Sequence, residues 1–349
     1  MEQSEAGLPQ SIADVDRLDA LLSEPSPRAI EVVAQLDGDL MLLGAGGKMG
    51  PTLTWMARRA SDAAGVKRRV IGVSRFGKAA HESWLQARGI ETIRCDVADE
   101  AQLERLPDVP NVVFMTGMKF GATGNEPQTW MTNVFAPGIA CRKFARSRIV
   151  AFSTGNVYPL TPVSRGGSVE SDALRPVGEY AMTAVGRERI LAHFSQSLGI
   201  AMAILRLNYA QDLRYGVLSD IARAVWEERP IDLTMGHFNA LWQGDANAMA
   251  LAAFDRVATP PRVANLAGPV VLSVRHVAEQ FGRLLDKLPE FTGREAADAL
   301  LSNGTLGYEL CGRPRVAVDE MIAWIADWIR RGGTSLGKPT HFEVRNGTY

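Results

Sequence analysis

The sequence predicts a doubly wound α/β protein built on a parallel sheet, with a smaller lobe formed by its C-terminal part. Three observations predict it. Short apolar, β-rich runs alternate with amphipathic helical stretches from Leu40 to Leu205. The first run ends in a glycine-rich turn at the head of a helix. After Tyr209 the alternation gives way to mixed helices and short β segments. Strands separated by helices imply parallel neighbours, because parallel strands need crossovers and cannot be joined by tight turns.

Read in order, the chain opens with two short amphipathic stretches, Ile12 to Leu22 and Arg28 to Leu36, separated by Ser23, Pro25 and Pro27. They form a helical extension over residues 1–37. Strands are expected at Leu40 to Leu43, Arg69 to Val73, Glu91 to Cys95, Asn111 to Met115, Arg148 to Phe152 and Ile200 to Leu205. Helices are expected between them at Pro51 to Ala60, Ala79 to Arg88, Glu100 to Leu106, Pro127 to Ala145 and Gly178 to Leu198. The main domain is then 38–210, with 238–267 returning to it through a β segment at Arg262 to Leu266. The lobe is 211–237 and 268–333, with helices at Val217 to Glu228, Val274 to Leu285 and Asp319 to Arg330 and a β segment at Ile231 to Leu233. Residues 334–349 form a tail rich in Gly, Thr and Ser, expected to be mobile or to wrap a partner.

Composition narrows the function. Of 349 residues, 46% are hydrophobic and 22% charged, which fits a folded globular protein and neither a disordered nor a membrane one. With 38 basic against 39 acidic side chains, nothing attracts a polyanion, so nucleic acid is not an expected partner. Apolar runs such as Leu198 to Leu205 are too short to span a bilayer, so no membrane is expected either. Cys95, Cys141 and Cys311 stand far apart and form neither a disulfide framework nor a zinc site. The five histidines lack metal-ligand spacing, so no metal is expected. The acidic start, Glu2 and Glu5 leading to Asp14 and Asp16, is not a secretory signal, and a cytoplasmic location follows as the expectation.

The chemistry concentrates in the turn after the first strand. Gly44, Gly47 and Gly50 lie on a G-x-x-G-x-x-G spacing between strand and helix. There, glycine permits a tight turn and close backbone approach to a pyrophosphate, and the helix N–H groups face its charge. Dinucleotide binding by Gly44, Gly46, Gly47, Lys48, Met49 and Gly50 is the reading. A P-loop is excluded, since Met49 follows Gly47-Lys48 and Leu42 stands five residues before Gly47. The second strand ends in Ser74-Arg75, which offers a 2′-phosphate a hydrogen bond and a cation and lacks the carboxylate that suits a free ribose hydroxyl. NADP is therefore favoured over NAD.

Further segments are similar to the extended short-chain dehydrogenase/reductase superfamily, the NAD-dependent epimerase/dehydratase group. The glycine turn resembles its cofactor signature, and Asp96-Val97 resembles its adenine-contacting pair. Asn133 in Thr132-Asn133-Val134 matches its helical Asn-Val, and Ser153-Thr154-Gly155-Asn156-Val157-Tyr158 its S-S-x-x-V-Y. Ile204-Leu205-Arg206, Trp242 to Ala246 and Asn265 to Gly268 resemble later segments, so the likeness runs from about Asp39 to Arg330. It implies a Rossmann-like fold, places Thr116, Gly117 and Asn133 with the cofactor, and puts Thr154 at the catalytic Ser/Thr position.

The family's Y-x-x-x-K pair aligns with Tyr180 and Ala184, so the tyrosine is kept and the lysine is missing. In the family that lysine holds the nicotinamide ribose and stabilises tyrosinate. Without it, a tyrosine near its reference value of about 10 stays protonated at neutral pH and serves better as an acid than as a base. Lys119 and Arg187 are the cations placed to substitute. Lys119, Asn156 and Asn208 are candidate substrate contacts. The expected activity is an NADP(H)-dependent oxidoreductase acting on a polar carbonyl or hydroxyl compound of the sugar, sugar-acid or polyol kind, with Tyr180 and Thr154 catalytic. Two alternatives stand beside it: an NAD-retaining epimerase or dehydratase, and a non-catalytic dinucleotide-binding regulator. The resemblance also implies a homodimer through the helices at Pro127 to Ala145 and Gly178 to Leu198.

Overall fold

A computed structural model describes residues 7–348, so the acidic start at Glu2 and Glu5 lies outside the described residues. Seven parallel strands form the central sheet: β1 (Leu40–Leu43), β2 (Val70–Ser74), β3 (Glu91–Arg94), β4 (Asn111–Phe114), β5 (Arg148–Thr154), β6 (Met202–Leu207) and β7 (Arg262–Leu266). Their order across the sheet is β7-β6-β5-β4-β1-β2-β3. The chain reverses its direction of winding between β1 and β4, which opens a crevice at the strands' carboxyl ends. β1 reads Leu-Met-Leu-Leu with every side chain buried, as a strand covered on both faces must. β3, at the sheet's edge, reads Glu-Thr-Ile-Arg and is partly exposed.

Two short helices precede the sheet. In α1 (Val15–Leu22) Asp14 accepts from Arg17 N at 2.7 Å, and in α2 (Pro27–Ala34) Ser26 accepts from Ala29 N beside a proline at the first turn. Leu18, Leu21 and Leu22 of α1 join the apolar core of the C-terminal part, whereas Ala29, Val32 and Val33 of α2 pack beneath the sheet with α3 (Gly50–Ala63).

The expected helix at Pro127 to Ala145 is interrupted. It runs as α4 (Glu126–Trp130), a π-helical turn over Met131–Phe135 and α5 (Ala136–Lys143). Pro137 has no N–H to offer Asn133 O four residues earlier, and the freed carbonyl instead accepts from Arg187 Nε at 3.1 Å. Arg187 belongs to α6 (Glu179–Leu198), the long helix packed on this one.

Behind α6 lies a buried ionic network. Arg206 of β6 donates through Nε and Nη2 to Glu188 of α6 at 3.0 and 2.7 Å, and through Nη1 to Tyr158 Oη at 2.6 Å. Ser153 Oγ donates to the same carboxylate at 2.6 Å, and Tyr158 passes the chain on to Asn265 of β7. Despite the cost of burial, the Glu188 carboxylate and the hydrogen bond that Arg206 gives to Tyr158 hold its guanidinium above its ordinary value. Breaking one side of such a pair strands a charge and costs about 3–5 kcal/mol. Glu188→Ala is accordingly expected to lower the unfolding free energy by about that amount, read from the urea midpoint, while an exposed control such as Glu104→Ala leaves it unchanged.

Candidate active site

Two cavities lie near one another at the carboxyl ends of the strands. The longer, of about 490 Å³, runs over the glycine turn between β1 and α3 and along the ends of β2, β3 and β4. Gly44, Gly46, Gly47, Ser74, Arg75, Asp96, Val97, Thr116 and Gly117 line it, so most of the residues expected around a dinucleotide come together. Gly44 adopts φ +105°, which a side chain would oppose, and a Cβ on Gly46 would lie 2.7 Å from Ser74 Oγ. Met49, capping α3, makes no side-chain cap bond, and the backbone turns directly into the helix. At the far end Arg75 lies 3.6 Å from Asp96, with both side chains open to solvent.

The second cavity, of about 190 Å³, is lined by Thr154, Asn156 and Tyr180 together with Lys48, Lys119, Gln211, Tyr215 and Thr340. β5 ends at Thr154, whose Oγ donates to Asn156 Oδ1 at 3.0 Å and accepts from Asn156 N at 3.2 Å. Tyr180, in the first turn of α6, lines the same cavity as Thr154. Burial pushes the Tyr180 phenol above its ordinary value, although the Arg187 charge and the Thr154 hydrogen bond pull the other way. Desolvation outweighs the cation, so the phenol keeps its proton at neutral pH.

Ala184, four residues after Tyr180, is buried in an apolar cluster with Val157 and Tyr158. The cation in this region is Arg187, whose Nη1 donates to Phe152 O at 2.9 Å and whose Nη2 donates to Asn133 Oδ1 at 2.7 Å. Nη2 lies 2.7 Å from the point where Gly117 would carry a Cβ, just behind the wall of the long cavity. Lys119 reaches the site from the other side, with Nζ 5.9 Å from the centre of the Tyr180 ring.

Several expected residues sit differently from the expectation. Asn133 is fully buried and faces neither cavity. Its amide donates to Met118 O and Thr183 Oγ, and its Oδ1 accepts from Met118 N and Arg187, so it ties the loop after β4 to α6. Gly50 is the first residue of α3 and lines neither cavity. Lys48 and Met49 line the smaller cavity, with Lys48 Nζ 3.7 Å from the Tyr215 ring centre and 3.4 Å from Ala210 O. Asn208 borders that cavity, but its amide is turned to Ser302 Oγ at 3.3 Å. Gln211, Tyr215 and Thr340 were not anticipated, because segments distant in sequence deliver them. The role of Arg187 as an internal brace had one visible cue, Pro137 four residues after Asn133.

Comparison with known proteins agrees with this fold. Residues 40–210 match the sequence profile of the NAD dependent epimerase/dehydratase family. The chain belongs to that family. No curated protein matches the sequence. Among solved structures, this member of the epimerase/dehydratase family is similar in fold to the UDP-glucuronic acid 4-epimerase of Bacillus cereus in complex with UDP-glucuronic acid and NAD. The two are 16% identical with a TM-score of 0.69, over 84% of this chain and 99% of that one. It also resembles the dTDP-glucose 4,6-dehydratase of Bacillus anthracis in complex with NAD, at 14% identity and TM-score 0.71 over 84% and 97% of the two chains. MoeE5 in complex with UDP-glucose and NAD superposes with TM-score 0.68 at 20% identity, over 84% and 99%.

The family implies a nicotinamide dinucleotide, and the long cavity fits one. Its floor is a glycine turn at the head of a helix, and beside β4 the Thr116 hydroxyl is buried with no hydrogen-bond partner among the described residues.

Proposed function

We propose that the chain is a nicotinamide-dinucleotide-dependent oxidoreductase acting on a carbonyl or hydroxyl carbon of a polar, hydroxylated compound of the sugar, sugar-acid or polyol kind. The observation that carries this reading is that Thr154 and Tyr180 line one small cavity together, beside the cavity over the glycine turn. Bound in the long cavity, the dinucleotide supplies or accepts the hydride. Thr154 hydrogen-bonds the reacting oxygen, and Tyr180 gives it a proton. Arg187 supplies fixed positive charge behind Tyr180 in place of the family's lysine, without the lysine's freedom to lose its proton.

The sign of the tyrosine shift selects a direction. A phenol held above its ordinary value of about 10 is in its acid form throughout the neutral range, so reduction, which consumes the Tyr180 proton, is the favoured half-reaction. Oxidation needs the phenolate and improves as pH rises. Expected is a kcat for reduction, at saturating substrate, that stays level from about pH 7 to about pH 9. Tyr180→Phe is expected to cost about 10²–10⁴ in kcat while dinucleotide binding persists. Unchanged turnover in that variant would remove Tyr180 from the chemistry, and a partner whose dinucleotide-dependent binding survived it would favour the regulatory reading.

Cofactor identity separates the two enzyme readings. Ser74 and Arg75 support NADP, and the NAD named in the three similar structures supports NAD and with it an epimerase or dehydratase that retains and recycles its cofactor. Chromatography of nucleotide released on denaturation decides between them. The expected result is a protein that purifies empty and takes up NADPH in preference to NADH; tightly held NAD(H) would establish the recycling reading.

A homodimer is part of the same reading. Trp130, Met131 and Phe135 near the π-turn and Met182 on α6 are each more than a third exposed, and beside them Ile190 and Phe194 line an apolar hollow of about 430 Å³. A second copy pairing these helices covers it. Light scattering is expected to give the mass of a dimer, and Phe135→Glu that of a monomer.

A further inference from the structure

The lobe end of the smaller cavity is closed by the chain's own tail. Expected from the sequence to be mobile or to wrap a partner, it packs on the chain's own lobe. Thr340 donates through N and Oγ to Asp220 of α7 (Val217–Trp226) at 2.7 and 2.6 Å, and Phe342 joins the lobe core 6.3 Å from the Phe238 ring. Arg345 Nη1 donates to Thr234 O at 3.1 Å and Asp298 O at 3.0 Å. Gly347 then packs so closely on Gly178, at the head of α6, that a Cβ on Gly178 would lie 2.4 Å from Gly347 O. The tail thus spans from the lobe to the Tyr180 helix and contributes Thr340 to the cavity wall. What it leaves, about 190 Å³, lies below the ~300–1,000 Å³ of pockets that hold drug-sized ligands.

Two ammonium groups share this small space. Among the described residues no carboxylate lies within ion-pair distance of Lys48 Nζ, which rests on the Tyr215 ring and Ala210 O. Of the nearby acids, Asp212 pairs with Arg214 at 2.8 Å, Asp220 holds Thr340, and Glu343, whose charge reaches Lys119, lies 3.6 Å from His341. Lys119 stands over the Tyr180 and Phe120 rings. Burial pushes Lys48 down to about 7 and Lys119 down to about 8, so an anion placed there regains for both the charge that desolvation disfavours. The remaining wall, Asn156, Gln211, Tyr215 and Thr340, offers hydroxyl and amide groups to a hydroxylated molecule.

We infer that the substrate is a small free sugar acid or its keto form, its carboxylate held by Lys48 and Lys119, and that the tail excludes nucleotide-linked sugars. This rests on the reading of Thr154 and Tyr180 as the reacting pair and names what binds beside them. The test is calorimetric titration of the full chain, saturated with its nicotinamide nucleotide, using D-glucuronate, D-glucose and UDP-glucose as probes. D-Glucuronate is expected to bind about tenfold or more tightly than D-glucose, and UDP-glucose neither to bind nor to displace it. Lys48→Met is expected to erase the preference and Lys48→Arg to keep part of it, with nucleotide binding in each reporting an intact fold. No heat from D-glucuronate, equal affinity for D-glucose, a preference that survives Lys48→Met, or displacement by UDP-glucose would each overturn the inference. Binding to Tyr180→Phe is measured alongside. Retained D-glucuronate preference in a variant that also retains turnover would refute the catalytic reading and leave the anion site standing.

Discussion

The site depends on one buried ion pair. Arg206 and Glu188 join β6 to α6 where both side chains are almost wholly removed from water, and the pair recruits Ser153 and Tyr158 from the end of β5. Thr154 follows Ser153 directly, and Tyr180 lies two helical turns before Glu188, so one carboxylate sets the distance between the strand that carries the hydroxyl and the helix that carries the phenol. Such a pair gains little net energy over well-packed apolar side chains. What it contributes here is registry, because a guanidinium fork bonded to one carboxylate and one phenol admits a single arrangement of the three elements.

A second constraint acts through a carbonyl. Proline at position 137 deprives Asn133 of its helical donor, the helix widens into a π-turn, and Arg187 crosses from α6 to fill the gap. The same guanidinium holds Asn133 Oδ1 and Phe152 O, so Asn133 keeps its fold-bracing work while the cation ends behind Gly117. The helix that carries Tyr180 therefore also brings a buried cation whose charge reaches the phenol. An arginine remains charged at any working pH, whereas a lysine in that position could titrate. The dry surroundings of Tyr180 outweigh that charge and keep the phenol protonated.

The two ends of the chain extend the same logic. α1 and α2 belong to different cores, one under the lobe and one under the sheet, and Arg214 reaches from the lobe to Asp19 of α1 at 2.8 Å. The tail closes the opposite side. The cleft between sheet and lobe is thus braced by segments outside the family-matched residues 40–210, and its small volume follows from them. No helix among the described residues is long and apolar enough to cross a membrane.

Local sequence was sufficient for the sheet and the glycine turn, whereas Thr154 and Tyr180 were singled out through the family resemblance. Leu40 to Leu43 is a run that only a fully covered strand accommodates, Gly44 needs a conformation that side chains oppose, and Arg262 to Leu266 and Val274 to Leu285 begin and end where their patterning predicts. Each of these depends on interactions between near neighbours or on a period of two or 3.6 residues. Long-range contact decided the rest. Asn133 became a brace because Met118, Thr183 and Arg187 arrive around it from three segments. Lys48 came to rest on the Tyr215 ring, and a polar tail folded back because Phe342 and Thr340 find an apolar core and a carboxylate on distant elements. A residue's chemistry is written in its own side chain, but the water it loses and the charges it meets are set by segments that only the folded chain brings together.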